Sequence, residues 1–421
     1  MMEILLNPAM LDIYIVAILA ALSCSIIGVH LTLRNRAMLG DAIAHGVVPG
    51  LILGFIFTGS REVFPMFTGA VIAALFLSLL AEWLRDRAEM DGGAALGVVF
   101  TTLFSGGIIL IEMYTREIDL DASCVLHGLI EFTHFQRMDL FGISVPRSIV
   151  SISIALFINL SALLIFWKEW KICAFDPILA RSMGLPVRTM ERGLLIMVAV
   201  TTVSCFEAVG SILVVAMIAV PPTIAGILCD RFGTMMLVSG LAGVISAMIG
   251  TFSAIHFVDS NVPGMIAVTS GGLLFLTVIF APHRGVLPVA TRLFMWRLRV
   301  AREDLLAESL QLSNSGGKFV SPGLWSLSGF AFLQLGFMGY LRNGTPKGRG
   351  ERIAVTLLRK RGLWQRFAAD RLGLPADHLE EPAHRIEHHL DEALMVMLEH
   401  EENLSSPQDI DADQNLDAGK E

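Results

Sequence analysis

Charge is what this chain is short of. Asp, Glu, Lys and Arg make up 17% of its 421 residues, whereas 54% are hydrophobic. Soluble domains carry about 25% charged residues, so this scarcity excludes a single soluble fold and points to membrane spans. Cysteine is also sparse. Cys24, Cys124, Cys173, Cys205 and Cys229 show no CxxC spacing, which excludes a readable zinc knuckle or disulfide framework. They read as small apolar residues in or beside spans. No GxxxxGK[ST] occurs, so there is no P-loop with which to cradle ATP. The first apolar run has no Lys or Arg ahead of it and reads as a first span rather than a cleaved signal peptide.

What is present is unevenly spread. Long apolar runs fill the chain to about residue 282, and beyond Arg284 it becomes polar and charged. Stretches near the length of about 20 residues that a bilayer needs fall at 11–33, 41–59, 64–82, 94–113, 147–167, 234–256 and 263–281. A longer run, 194–228, is interrupted by Glu207, Gly210, Pro221 and Pro222. Arg34 and Arg36, Arg85 and Arg87, the basic segment from Lys168 to Arg192, Arg231 and Arg284 all follow or separate spans. The positive-inside rule places them in the cytoplasm and the N-terminus outside. Segment 194–228 must then cross twice or dip and return, with its turn near Glu207–Gly210. About nine passes result, two of them short.

Two spans carry residues that lipid disfavours. Asp41 and His45 are four apart, so both project from one helix face. A charged side chain at membrane depth costs about 2.5–3.5 kcal/mol on insertion scales, and such residues face a bundle interior or a pathway. Carboxylate and imidazole together suit Mn²⁺, Zn²⁺ or Fe²⁺. The spacing leaves a second reading open, in which Asp41 caps the helix and His45 satisfies a backbone carbonyl. Glu207 either lines the same path or snorkels to the outer interface. Residues 114–140, with Asp119, Asp121, His127, Glu131 and His134, form an acidic vestibule or a solvated loop. His30 and His256 read as satisfied core or interfacial histidines.

Three ordered motifs, "MLGDAIAHGVVPG", "FDPILARSMGLPV" and "EAVGSILVVAMIAVPPTIA", resemble the integral-membrane permease of manganese/zinc/iron ABC importers, over about residues 10–285. The resemblance implies a subunit of the cytoplasmic (inner) membrane. Its partners would be a separate ABC ATPase, an extracytoplasmic metal-binding lipoprotein and a second permease copy or paralogue. It implies Asp41 and His45, and less directly Glu207, as the metal pathway. With Arg36 at the inner interface, His45 lies only about 13 Å further along a helix, at mid-depth. Segment 175–187 reads as a short amphipathic helix with Asp176 as N-cap and Pro177 at its first position. By resemblance it is the helix that docks on the ATPase, with Ala180 and Gly184 in its body; the alternative is an interfacial linker.

Residues 286–302 read as a basic juxtamembrane linker. The rest resembles metal-responsive repressors of the diphtheria-toxin-repressor type: 303–345 matches the winged helix poorly, and 346–398 matches the dimerisation and metal-binding helices better. Arg361 and Gln365 stand where that family has a histidine and a glutamate ligand, and the downstream partner position falls on Glu380. A second set falls on His384, Glu387 and His388, whose i, i+3, i+4 spacing converges on one helix face. The alternative there is a solvated His/Glu face. Lys318 is the one Lys or Arg between 314 and 341, so nucleic-acid binding is not expected, because phosphate neutralisation dominates that affinity. Residues 399–421 are acidic and read as a disordered tail.

The expected fold is therefore an all-α polytopic membrane protein of eight to nine spans with a mainly helical, degenerate winged-helix/metal-binding soluble domain. No permanently bound cofactor is expected. The divalent metal is substrate and a candidate C-terminal ligand. The competing readings are a membrane-tethered regulator and a secondary metal carrier.

Overall fold

The computed structural model describes residues 8–34, 38–59, 63–114, 128, 130–140, 143–258, 260–323, 326–375 and 379–404. The chain divides into two units, Met1–Pro288 and Val289–Glu421. Among the described residues of the first, nine helices are long and apolar enough to cross a membrane.

The helices of the first unit are α1 Pro8–Leu33, α2 Met38–Gly46, α3 Val48–Thr58, α4 Val63–Ala88 and α5 Gly92–Tyr114. A 3-10 turn, Ile130–Phe135, and the antiparallel hairpin β1 Arg137–Leu140 and β2 Ile143–Pro146 follow. Then come α6 Arg147–Ile165, α7 Trp167–Phe175, α8 Pro177–Ser182, α9 Val187–Leu228, α10 Phe232–Ser253 and α11 Val262–Phe280.

Apolar side chains gain nothing by leaving lipid for one another, so spans pack through small residues and close backbone approach. Helix α1 lies at the centre, packed on α9 and α10, with Ala17, Ala20, Ala21 and Gly28 among its buried residues. Pro222 cannot donate to the Ile218 carbonyl four residues earlier, and Gly28 backs onto that oxygen; a Cβ at Gly28 would lie 2.1 Å from it. Gly28→Ala is expected to destabilise by about 1–3 kcal/mol, as overpacking does. Gly97→Ala, where a Cβ meets nothing within 4 Å, should leave the melting temperature in detergent at or above the wild-type value. Equal melting temperatures would refute the packing argument.

Helix α9 has 42 residues. Drawn straight it would measure about 63 Å, twice the hydrocarbon core of about 30 Å. The backbone leaves helical geometry at Gly210, with φ 74° and ψ 168°, a region open to glycine. Divided close to that break, the helix gives two apolar lengths, Val187–Phe206 and Ala208–Leu228, of 20 and 21 residues. Both are therefore full-length spans, not the short ones that the sequence suggested. Gly128 lies backbone to backbone against Val209 and Gly210.

Two groups of polar contacts lie at helix ends. In one, Arg137 pairs with Asp12, and the Val262 amide donates to Glu131 Oε1 at 3.1 Å. In the other, Arg34 reaches Glu191 at 3.3 Å and donates to the Cys173 carbonyl at 3.1 Å. Arg284 likewise pairs with Asp230 at 2.7 Å and donates to the Gly226 carbonyl. The second group thus holds arginines that follow separate spans.

The second unit has α12 Val286–Asn314, α13 Leu327–Phe337, a hairpin of β3 Leu341–Arg342 and β4 Thr345–Pro346, α14 Arg349–Leu372, α15 Glu380–Ile386 and α16 Glu392–Leu404. Residues 286–302, read from the sequence as a basic juxtamembrane linker, form the first half of a 29-residue helix. Leu298, Leu305 and Leu306 of α12 form a core with Ala331, Leu335, Leu341 and Ala354. Residues 405–421 of the expected tail lie outside the described residues.

Candidate functional site

The first candidate sits on α2 and its continuation α3. These form one span with a joint at Val47. Pro49 occupies the first turn after the joint and cannot donate to the carbonyl of His45, so the helical ladder is interrupted directly beside the imidazole. Asp41 Oδ1 and His45 Nε2 lie 3.4 Å apart. The His45 ring meets Phe104 of α5 edge-on, with centroids 5.5 Å apart. Asp41 remains 47% exposed on this isolated chain, and His45 is half as open. Behind them α2 packs on α9, with Gly40 against Ile218. Glu207 lies on α9 three residues before the break at Gly210; its side chain is outside the described residues.

The other polar residues of the spans are occupied differently. His30 is buried edge-on against Trp170 and Phe232, and its Nε2 has no protein hydrogen bond among the described residues. His256 is stacked on Phe252, and its Nδ1 lies 3.1 Å from the Phe252 carbonyl oxygen. Asp119, Asp121 and His127 lie outside the described residues.

The second candidate is the short helix α8. The Asp176 side chain caps it, accepting from the amides of Ile178 and Leu179 at 3.0 and 2.9 Å. Pro177 follows at the first helical position. Ala180 is fully buried with Cys173 and Val187. The helix ends at Ser182, earlier than the expected 187, and Gly184 lies beyond it at φ 80°. Asp176, Pro177, Ala180 and Gly184 therefore build and end the helix. Beside the exposed Arg181 and Ser182 it presents apolar side chains outward: Ile178 at 76% exposure, with Leu179 and Met183 also exposed. Those three were missed because a helix of six residues is too short to show a periodic apolar stripe.

The third candidate lies in the second unit. Helix α14 contributes Arg361, α15 contributes His384, and the turn after it contributes Glu387 and His388. Helix α12 adds Glu303 and Asp304, about 80 positions away in sequence and so invisible to local spacing. One donor atom each from Asp304, His384, Glu387 and His388 falls within a mutual 4.8 Å. Glu380 lies on α15, but its side chain is outside the described residues.

Arg361 lies among these donors. Its Nε and Nη2 donate to the two oxygens of the fully buried Glu387, each at 2.6 Å. The same Nη2 lies 2.9 Å from His384 Nδ1. His388 makes its shortest contacts with α12, its Nδ1 2.8 Å from Glu303 and its Nε2 3.1 Å from Asp304, while Nε2 lies 3.7 Å from Glu387 Oε1. Burial by itself would lower the His388 pKa; the hydrogen bonds to Asp304 and Glu303 outweigh it and raise the value to about 9. Below that pH the ring is an imidazolium with both N–H groups bonded.

The donor types suit a divalent ion, but with the guanidinium in place they do not fit one. The guanidinium already takes both Glu387 oxygens, and at about 4 Å and an effective dielectric of about 20 it would repel a dication by about 8 kcal/mol, enough to cancel the attraction of one carboxylate at that distance.

Comparison with known proteins agrees with this division of the chain. Residues 345–401 match the model of the iron dependent repressor, metal binding and dimerisation domain. The manganese transport system membrane protein MntD of Bacillus subtilis (strain 168) is 36% identical over 271 residues, covering 64% of this chain and 91% of that protein. The zinc transport system membrane protein TroD of Treponema pallidum (strain Nichols) is 34% identical, over 66% of this chain and 75% of that one. The chelated iron transport system membrane protein YfeD of Yersinia pestis is 30% identical, over 66% and 86%. A solved structure, PsaBC from Streptococcus pneumoniae in complex with Fab, shares the fold at a TM-score of 0.58, with 24% identity over 68% of this chain and 96% of that chain. Residues 7–281, which hold the nine candidate spans of the described residues, the Asp41–His45 pair and the capped helix α8, match the ABC 3 transport family, and to that family the chain belongs.

Proposed function

We propose that the chain is the permease subunit of an ATP-driven importer that moves a divalent transition metal, of the manganese, zinc and iron class, across the inner membrane. It hydrolyses no ATP itself; a separate ABC ATPase drives alternating access, and an extracytoplasmic metal-binding lipoprotein delivers the ion. The relatives named for manganese, zinc and chelated iron transport support the substrate class.

The observation that carries this reading is the Asp41–His45 pair, a carboxylate and an imidazole 3.4 Å apart on one membrane span. A half-open carboxylate facing lipid would cost about 2.5–3.5 kcal/mol. That cost vanishes if the open face looks onto a second permease copy or paralogue, with the metal path between them. Glu207, beside the Gly210 break, completes the proposed path, because irregular backbone at membrane depth is tolerated where protein or water lines it. The arginine-rich end that holds Arg34 and Arg284 is assigned to the cytoplasm. Helix α8 follows α7 from that end and docks on the ATPase. By connectivity the N-terminus is outside, and the second unit is a cytoplasmic accessory domain made of a degenerate winged-helix part and a repressor-like part.

The experiment is metal accumulation in proteoliposomes containing the chain with its ATPase. Accumulation is expected with ATP and the intact ATPase and should stop with a Walker-lysine variant of the ATPase. Equal accumulation driven by a proton or sodium gradient alone would replace this reading with a secondary carrier.

A further inference from the structure

The repressor-like unit carries a cation of its own at the point where its donors converge. Glu387 is fully buried, and both of its oxygens are taken by the Arg361 fork. His384 Nδ1 faces the same guanidinium, while His388 is held by Glu303 and Asp304. Each of the four donors that could surround an ion therefore already has a protein partner.

A transition metal needs its nitrogen and oxygen ligands at about 2.0–2.2 Å. To enter, it would have to break both Arg361–Glu387 bonds and displace the guanidinium. A lysine could yield by losing its proton, but arginine stays charged at any pH a protein survives. The neighbouring cleft, about 680 Å³, is lined by Arg299, Arg349, Arg352 and Lys360 against Glu303 and Glu387, so cations outnumber carboxylates there too.

We propose that Arg361 is the resident cation of the C-terminal unit: its guanidinium stands where the metal-binding and dimerisation domain similar to residues 345–401 would hold a divalent ion. The unit is then locked in one charge-balanced state at every metal concentration. It is a structural module, and it does not sense the transported ion. This inference rests on the cluster alone and stands independently of the transport path.

The test is equilibrium dialysis of the full chain in detergent against Zn²⁺ or Mn²⁺, with bound metal counted by mass spectrometry. Each result is read as a difference between variants, so that any ion held along the membrane path cancels. His384→Ala should leave the metal content of the otherwise wild-type chain unchanged, whereas Arg361→His should gain about one equivalent, because it exchanges a cation for a ligand. Arg361→Ala should melt at a lower temperature, and Zn²⁺ should restore part of the loss; Zn²⁺ should not shift the wild-type melt of this unit. Loss of about one equivalent in His384→Ala overturns the proposal, and that arm needs no Arg361 variant to fold. Folded Arg361 variants that gain no metal also overturn it, since the arginine would then not be what keeps the ion out.

Discussion

Asp41→Ala and His45→Ala are each expected to lower metal accumulation by at least about 10–100-fold, the loss typical even of residues that merely support a metal ligand. The reason lies in the number of donors available at membrane depth. Asp41 and His45 lie 3.4 Å apart on one span, and either truncation leaves this span a single ligand. A hydrated dication has no reason to shed water for one imidazole or one carboxylate. Folding should survive, because Asp41 is 47% exposed and bonds to no residue but His45 among the described contacts. His45 likewise only rests edge-on against Phe104. Asp41→Asn keeps the shape and removes the charge, so it should resemble Asp41→Ala in transport and the wild type in stability. The measurement is uptake of radiolabelled manganese, zinc and iron alongside membrane abundance and ATPase co-purification. Normal uptake of all three ions by both alanine variants would eliminate this pair as the path.

Much of the membrane unit was legible because its determinants are local. A run of about 20 apolar residues between arginines fixes a span. The parity of Arg34, Arg85, Lys168, Arg231 and Arg284 required segment 194–228 to break, and it does so at Gly210. The proximity of Asp41 and His45 was legible for the same reason, since i, i+4 spacing is a property of one helix. The second unit was read less well where its structure depends on residues far apart. The Asn343-Gly344 pair, both at positive φ, is a strong hairpin signal that went unused, and it joins β3 to β4. Helix α12 runs unbroken through residues 286–302, and from Leu298 to Leu306 its apolar face packs on α13 and α14, a long-range contact that the basic composition of the stretch did not reveal. Arg361 was noticed as a missing ligand. That it lies inside the other ligand set depends on α14 and α15 meeting, which no spacing encodes.

Substitution can separate the proposed docking surface of α8 from the scaffold beneath it. Ile178→Asp and Leu179→Asp place a carboxylate on side chains that are exposed in the permease, so the chain should fold and insert normally. If these side chains seat in a groove of the ATPase, the charge must be desolvated there. Truncating an interface anchor costs about 2 kcal/mol or more, about 30-fold in affinity, and a buried unpaired charge should cost at least as much. Gly184→Pro acts differently. Its ring fixes φ near −65°, whereas Gly184 sits at φ 80° and its amide donates to the Arg181 carbonyl at 3.0 Å. That variant should lose both ATPase co-purification and thermal stability, since the turn that ends α8 cannot form. The aspartate variants should lose co-purification alone, with stability and metal binding unaltered. Retention of the ATPase by Ile178→Asp and Leu179→Asp together would sink the docking role. Loss of stability in those variants as well would place both side chains in the fold and not at the contact.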